Sequence, residues 1–151
     1  MDRMRESVFS ILGDLSGCSF LDLFTGSGII GLEAASRGAS PVVLVEGDRG
    51  KLRVIKQNAA MAGAAVTIRL TSVERFLKKG GSPFDYIFLD PPFRYAAKAS
   101  LFSLIAAGGL FSGRGFIMLH LPAPEDRRLE VKEFTRMDER RYGGSHVIFF
   151  K

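Results

Sequence analysis

The chain has 151 residues, of which 46% are hydrophobic and 25% charged, an ordinary globular balance that suffices for one full core. No run reaches the ~20 apolar residues of a membrane-crossing helix, and no apolar signal-like stretch follows the N-terminal charges, so a cytoplasmic protein is expected. Cys18 stands alone, which excludes an internal disulfide and a thiolate cage, so no metal is expected; 21 Lys and Arg against 16 Asp and Glu give a net charge of +5, compatible with a nucleic-acid partner.

Met4, Val8, Ile11 and Leu12 recur at helical spacing and predict a short amphipathic helix over 2–13, with Gly17 breaking the chain after it. Ser19 to Phe24 reads as a short apolar strand interrupted by Asp22. Gly26-Ser27-Gly28 turns the chain into a helix from Ile29 to Arg37, ended by Gly38. Val42-Val43-Leu44-Val45 is apolar throughout, as buried parallel strands are, and Glu46 ends it. Leu52, Ile55, Ala59 and Ala62 set one apolar stripe on a helix from about 49 to 62.

Val66 to Leu70 is a third strand, followed by a short helical piece with Phe76 and Leu77. Gly80-Gly81-Ser82-Pro83 is a turn before the strand Phe84 to Leu89. Residues 96–107 read as a helix, and Phe116 to Leu121 as a fifth strand stopped by Pro122 and Pro124. A polar stretch around 129–141, Gly143-Gly144 and the run His146 to Phe150 read as a closing hairpin. His120 and His146 sit inside apolar runs and read as structural. Strands alternating with helices predict an α/β, doubly wound parallel sheet in a single domain over residues 1–151.

Ligands of such sheets bind outside the carboxyl ends of the strands, where Asp22, Glu46, Ser72 and Asp90 all fall. Asp90-Pro91-Pro92-Phe93 forms a rigid cup. The prolines stiffen the turn and offer only carbonyl acceptors, Asp90 adds a carboxylate, and Phe93 a stacking face. Together they suit a planar amine. Gly26-Ser27-Gly28-Ile29-Ile30-Gly31 matches the dinucleotide fingerprint G-x-G-x-x-G. A carboxylate at Asp22, seconded by Asp90, repels a pyrophosphate and favours a ligand carrying an ammonium and a sulfonium. S-adenosylmethionine has both, with a ribose diol for Glu46. A nucleobase amine, a glutamine amide and other planar NH2 groups remain open as acceptors, and an RNA-binding assembly factor remains open as a non-enzymatic reading.

Leu21-Asp22-Leu23-Phe24-Thr25-Gly26-Ser27-Gly28, Gly31-Leu32-Glu33-Ala34 and Ser36-Arg37-Gly38-Ala39 resemble the RsmD-type 16S rRNA guanine-N2 methyltransferases. Met4-Arg5-Glu6-Ser7-Val8-Phe9, Phe84 through Phe93 and Arg141-Tyr142-Gly143-Gly144 extend that resemblance over nearly the whole chain. It implies a Rossmann-like class I methyltransferase fold, seven strands with the last antiparallel. It also implies methyl transfer from S-adenosyl-L-methionine to N2 of one guanine of 16S rRNA, within the small ribosomal subunit or an assembly intermediate. By the same resemblance Asp22, Gly26 and Gly28 serve the methionine end and Glu46 the ribose, with Phe24 and Ser27 as further cofactor-binding candidates. Ser72 and Val73 serve the adenine, with Ser72 standing where the family usually has Asp. Asp90, Pro91, Pro92 and Phe93 hold the target base. Arg3, Arg5, Arg94 and Lys98 flank the crevice as candidate RNA contacts.

Overall fold

The computed structural model describes residues 2–122 and 129–151; Pro124, expected to help stop the fifth strand, lies outside them. In chain order the elements are α1 (Asp2–Leu12), β1 (Phe20–Leu23), α2 (Ile29–Ser36), β2 (Val42–Glu46), α3 (Leu52–Ala62), β3 (Thr67–Leu70) and α4 (Val73–Lys79). They continue with β4 (Tyr86–Leu89), α5 (Lys98–Ala107), β5 (Ile117–Pro122), β6 (Arg136–Tyr142) and β7 (Ser145–Phe150). A single 3-10 turn, Arg49–Lys51, leads into α3.

The seven strands form one sheet in the order β3-β2-β1-β4-β5-β7-β6. β1 to β5 are parallel, and β7 inserts antiparallel between β5 and β6. The expected seven strands with the last antiparallel are therefore present. Pro122 closes β5 from within rather than from beyond, opposite Ser145 of β7. β6 falls at the end of the polar stretch and pairs antiparallel with β7 across Gly143-Gly144, as the expected closing hairpin. It is an edge strand with most side chains in water, so no apolar alternation marks it.

Side chains alternate across the sheet and divide the core in two. Leu21, Leu23, Val45, Ile87, Leu89 and Leu119 pack against Leu77 of α4 and Leu101, Phe102 and Ile105 of α5. Phe20, Val42, Leu44, Phe88 and Met118 pack on the other face against Met4, Val8 and Phe9 of α1, Ala34 of α2 and Ile55 of α3. Burial at 0–2% exposure makes these side chains the main source of stability, with truncation of Phe102 or Phe20 to Ala expected to lose about 3–5 kcal/mol.

The chain leaves β1 outward to β2 and β3, then returns to β4 on the other side of β1. The carboxyl ends of β1 and β4 therefore border the point where strand order reverses. Backbone bonds hold the strand ends level there: Thr25 N–H donates to Val45 O at 3.0 Å, Thr71 N–H to Glu46 O at 3.0 Å, and Asp90 N–H to Leu23 O at 3.3 Å.

Candidate active site

Asp22 follows Phe20 on the α2 side of the sheet, so strand alternation aims its carboxylate at the start of α2. It is 1% exposed. Its Oδ2 accepts from Thr25 Oγ1 at 2.5 Å and from Gly31 N–H at 2.9 Å. Gly31 lies in the first turn of α2, where N–H groups have no partner within the helix. The N-cap residue, Gly28, has φ of 87° and no side chain to satisfy them. A strand residue thus caps the following helix. A side chain at position 31 would meet Leu44 Cδ2 at 2.1 Å and Asp22 Oδ2 at 3.3 Å, so only glycine permits this approach. Burial pushes the Asp22 carboxyl up to about 7; the Thr25 and Gly31 bonds oppose it, and the nearby charges of Asp90 and Glu46 add to it.

Glu46 ends β2 and is also buried. Its Oε1 accepts from Gly26 N–H at 2.9 Å and its Oε2 from Asp48 N–H at 3.0 Å, so it ties the glycine loop to the end of the second strand. Asn58 of α3, absent from the expectations, fixes the same loop by donating to Ser27 O at 2.9 Å. Phe24 turns the chain with φ of 61°, a left-handed backbone that a bulky side chain adopts at a cost of order 1–3 kcal/mol. Its ring meets Tyr95 edge-on at 5.3 Å, and the Tyr95 hydroxyl donates to Glu74 of α4. Burial, that bond and the Glu74 charge raise Tyr95 above the ordinary phenol range.

Ser72 is the N-cap of α4, its Oγ accepting from Arg75 N–H at 3.1 Å, and Val73 behind it is buried. Gly47 lies against the Ser72 backbone, which brings the ends of β2 and β3 side by side.

At the end of β4, Asp90 keeps about a third of its side chain in solvent (34%). Pro91 is buried, Pro92 accepts from Tyr95 N–H at 2.9 Å, and the Phe93 ring is 64% exposed. His120 Nδ1 sits 3.0 Å from Asp90 Oδ1, and its Nε2 sits 3.0 Å from Ser145 Oγ. His120, read as structural, is therefore bonded to a site acid through one ring nitrogen and to Ser145 through the other. The signal lay in the register: Phe88 pairs with Met118, so Asp90 and His120, each two residues further along, face one another on the same side of the sheet. His146, by contrast, is wholly buried and lies 3.1 Å from Glu139 of β6.

A cavity of about 200 Å³ joins the two acids, lined by Asp22, Phe24, Thr25, Ser27, Ile29, Ile30, Phe88 and Asp90, with Asp2 and Arg5 at its α1 side. Glu46, Ser72 and Val73 do not line it; they stand at the end of β2 and just beyond the end of β3. Phe93, Arg94 and Lys98 line the neighbouring cleft of about 580 Å³. Of the candidate RNA contacts, Arg3 and Arg94 are exposed. Arg5 pairs with Glu33 at 3.8 Å and Asp2 at 3.6 Å, and Lys98 Nζ donates to Tyr95 O at 2.6 Å. Among the described residues no group of three or more His, Cys, Asp and Glu has an arrangement that holds a metal, and no helix is long and apolar enough to cross a membrane.

The arrangement is an acidic, partly apolar crevice with an aromatic lip. The carboxylates of Asp22 and Asp90 favour a cationic ligand and oppose a phosphate, while the exposed ring and proline carbonyl suit a flat, proton-donating group.

The family model described as "Conserved hypothetical protein 95" matches residues 1–151. The chain is similar to the "Putative rRNA methyltransferase YlbH" of Bacillus subtilis, 33% identical over 168 residues that cover 99% of this chain and 85% of the relative. It is similar also to the "Ribosomal RNA small subunit methyltransferase D" of Escherichia coli K12, 33% identical over 118 residues, 77% of this chain. That match spans 60% of the relative's own length. Among solved structures, the "Putative methyltransferase yhhF" of Escherichia coli superposes with a TM-score of 0.88 at 27% identity, covering 99% of this chain and 84% of the other. The sheet order with its antiparallel β7 is that of the class I methyltransferase fold. With the model matched from end to end and a relative one-third identical along nearly the whole sequence, the chain belongs to the Conserved hypothetical protein 95 family, as the resemblance to RsmD-type proteins implied.

Proposed function

We propose that this protein transfers a methyl group from S-adenosylmethionine to the exocyclic N2 amine of one guanine in 16S ribosomal RNA. It does so in the cytoplasm, on the small ribosomal subunit or an assembly intermediate. The observation that carries the reading is the convergence of the Asp22 and Asp90 carboxylates on one cavity, beside an exposed Phe93. The names of the relatives, rRNA methyltransferase and small subunit methyltransferase, point to the substrate class.

The residues fit the donor. Asp22 is buried without a counter-charge, and its carboxyl is raised to about 7 by that burial; an ammonium or sulfonium in the cavity supplies the missing charge. Asp22, Phe24, Gly26, Ser27 and Gly28 surround the methionine end. Each Glu46 oxygen accepts one backbone N–H and keeps a second acceptor site for a ribose hydroxyl. Ser72 and Val73 border the adenine. Bound S-adenosylmethionine supplies an electrophilic methyl group on a sulfonium.

The rest is done by the chain. The guanine N2 lone pair is delocalised into the ring, so the amine is a poor nucleophile. Asp90 and the Pro91 carbonyl accept its two protons and draw the nitrogen toward sp³ geometry, which localises the pair. Phe93 holds the base by stacking, worth about 1–3 kcal/mol. A base in a duplex must leave the stack to reach this cup. As the new C–N bond forms and the methyl–sulfur bond breaks, the surplus amine proton passes to Asp90, whose exposed third returns it to water. Positioning carries much of the acceleration.

The test is nucleoside analysis of 16S rRNA after incubating the full chain and S-adenosylmethionine with small subunits, or naked rRNA, from cells lacking the gene. One N2-methylguanosine, formed faster on particles, is expected. A methyl group on another base or on protein overturns the acceptor assignment, and equal rates on naked RNA overturn the particle.

A further inference from the structure

Asp90 ends its strand with a third of its side chain in water, where a carboxylate ordinarily rotates freely. Here it does not stand alone. Asp90, directly after β4, His120, in β5, and Ser145, at the start of β7, lie along three adjacent strands and form an unbroken chain with both links at 3.0 Å. The imidazole is 12% exposed and lies over Phe88, ring centroids 6.4 Å apart. We propose that His120 is a positioning residue for Asp90, with Ser145 fixing its tautomer. The inference rests on the reading above, in which Asp90 accepts from the target amine.

The chemistry of the donors assigns the protons. An ionised carboxylate only accepts, so Nδ1 of a neutral His120 must carry the hydrogen and donate to Asp90 Oδ1. Nε2 is then an acceptor, and the Ser145 hydroxyl donates to it. The reverse tautomer sets the lone pair of Nδ1 against the lone pairs of Oδ1. With Oδ1 pinned, Asp90 turns about its terminal bond no further, and Oδ2 is the oxygen left for the amine. Because the donor stands on the strand next to β4 in a fixed register, the alignment does not depend on the 91–97 loop.

The pinning also bears on the proton. When Oδ2 takes the proton from the methylated amine, Oδ1 becomes the carbonyl oxygen of an acid and still accepts from Nδ1. His120 therefore orients both forms of Asp90 without itself gaining or losing a proton. It touches neither base nor donor and acts through Asp90 alone.

The test has two arms. Imidazole ¹H–¹⁵N spectra of the full chain at mildly alkaline pH need no substrate. They are expected to show His120 protonated on Nδ1, with the signal moving in Asp90→Asn; protonation on Nε2 overturns the assignment. In the second arm, turnover on small subunits and S-adenosylhomocysteine affinity are compared in His120→Ala, His120→Asn and Ser145→Ala. His120→Ala is expected to lower kcat roughly 10²-fold, the scale of a misplaced catalytic group, with KM for the particle and homocysteine-analogue affinity little changed. His120→Asn, whose amide N–H stands near the place of Nδ1, is expected to recover most of that loss, and Ser145→Ala to lose least.

Unchanged kcat in His120→Ala overturns the proposal. So does an Asn variant no better than Ala when both bind the analogue normally. An Ala variant that unfolds leaves Asn against Ser145→Ala as the deciding pair, since loss of kcat in Ser145→Ala with normal analogue binding is required. A wild-type chain that methylates no ribosomal RNA sinks the methyltransferase reading instead, and the spectra then decide the His120–Asp90 bond.

Discussion

Asp22 and Asp90 belong to adjacent strands of one sheet and face one cavity, yet they are held in opposite ways. Asp22 is sealed from water and bonded by its own β1–α2 unit, through Thr25 and Gly31. Asp90 is a third exposed, and its partner comes from β5. The register sets the difference: Asp22 pairs with Phe88, so Asp90 stands two residues further out, about 7 Å at the strand rise of ~3.3 Å per residue. An acid inside the turn shapes a site and meets a ligand that stays in place. An acid beyond the strand end meets one that comes and goes.

The largest expected effect separates their roles. Asp90→Ala should lower kcat by roughly 10²–10⁴-fold while S-adenosylhomocysteine affinity, measured by calorimetry, stays near normal. Asp22→Ala should do the reverse damage, weakening the analogue and the fold together. If both variants weaken the analogue equally, the two acids are not distinct and the comparison breaks.

The second effect is on pH. The Asp22 carboxyl stands at about 7 in the fold against an ordinary value of 3.8. Between those values the folded protein keeps a proton that the unfolded chain has lost. Stability therefore falls as pH rises through this window, by at most about 1.4 kcal/mol per unit. Asp22→Asn removes the slope, and denaturant midpoints from about pH 4 to 8 check it. A cationic ligand needs Asp22 charged, so S-adenosylmethionine affinity should rise with pH through about 7 and release a proton on binding. A wild-type stability curve no steeper than the Asn variant's would show that Asp22 titrates as an ordinary acid.

The third effect probes the closeness that seals Asp22. Gly31→Ala forces a methyl against Leu44 and Asp22, with an expected loss of about 1–3 kcal/mol in denaturant unfolding. Affinity for the analogue should fall with it.

The same contrast decides what the sequence discloses. β1, β2, β4 and β5 are buried on both faces, so each is an apolar run bounded by turn residues and legible one strand at a time. β6 carries no such pattern, being an edge strand exposed along its length, and the hairpin is disclosed instead by Gly143-Gly144 and the apolar run after it. The start of α5 falls two residues later than expected, at Lys98, where Ala97 offers no capping side chain. Asp22 and Asp90 are conspicuous as acids at the ends of apolar runs. His120 is a lone polar residue inside an apolar strand, and its partner shows only when β4 and β5 are laid in register. Arg5 and Lys98 line the crevice and its neighbouring cleft, and their links to Glu33 and the Tyr95 carbonyl come from packing that spacing does not reveal.

The smallest effect tests the far end of the crevice. Ser72 already has an occupation, since its hydroxyl caps α4 through the Arg75 N–H. Ser72→Ala should therefore cost about 1 kcal/mol of stability, the usual worth of such a cap. Ser72→Asp keeps the cap, because aspartate serves that position as well as serine does, and places a negative charge at the N-terminus of α4. If the adenine amine lies here, the carboxylate accepts its hydrogen more strongly than a hydroxyl, and S-adenosylhomocysteine should bind several-fold tighter, within the ~10-fold of one charge-assisted bond. S-inosylhomocysteine, which has a carbonyl in place of that amine, should gain nothing. Equal gain for both analogues would move the adenine away from Ser72 while leaving Asp22 and Asp90 where they are.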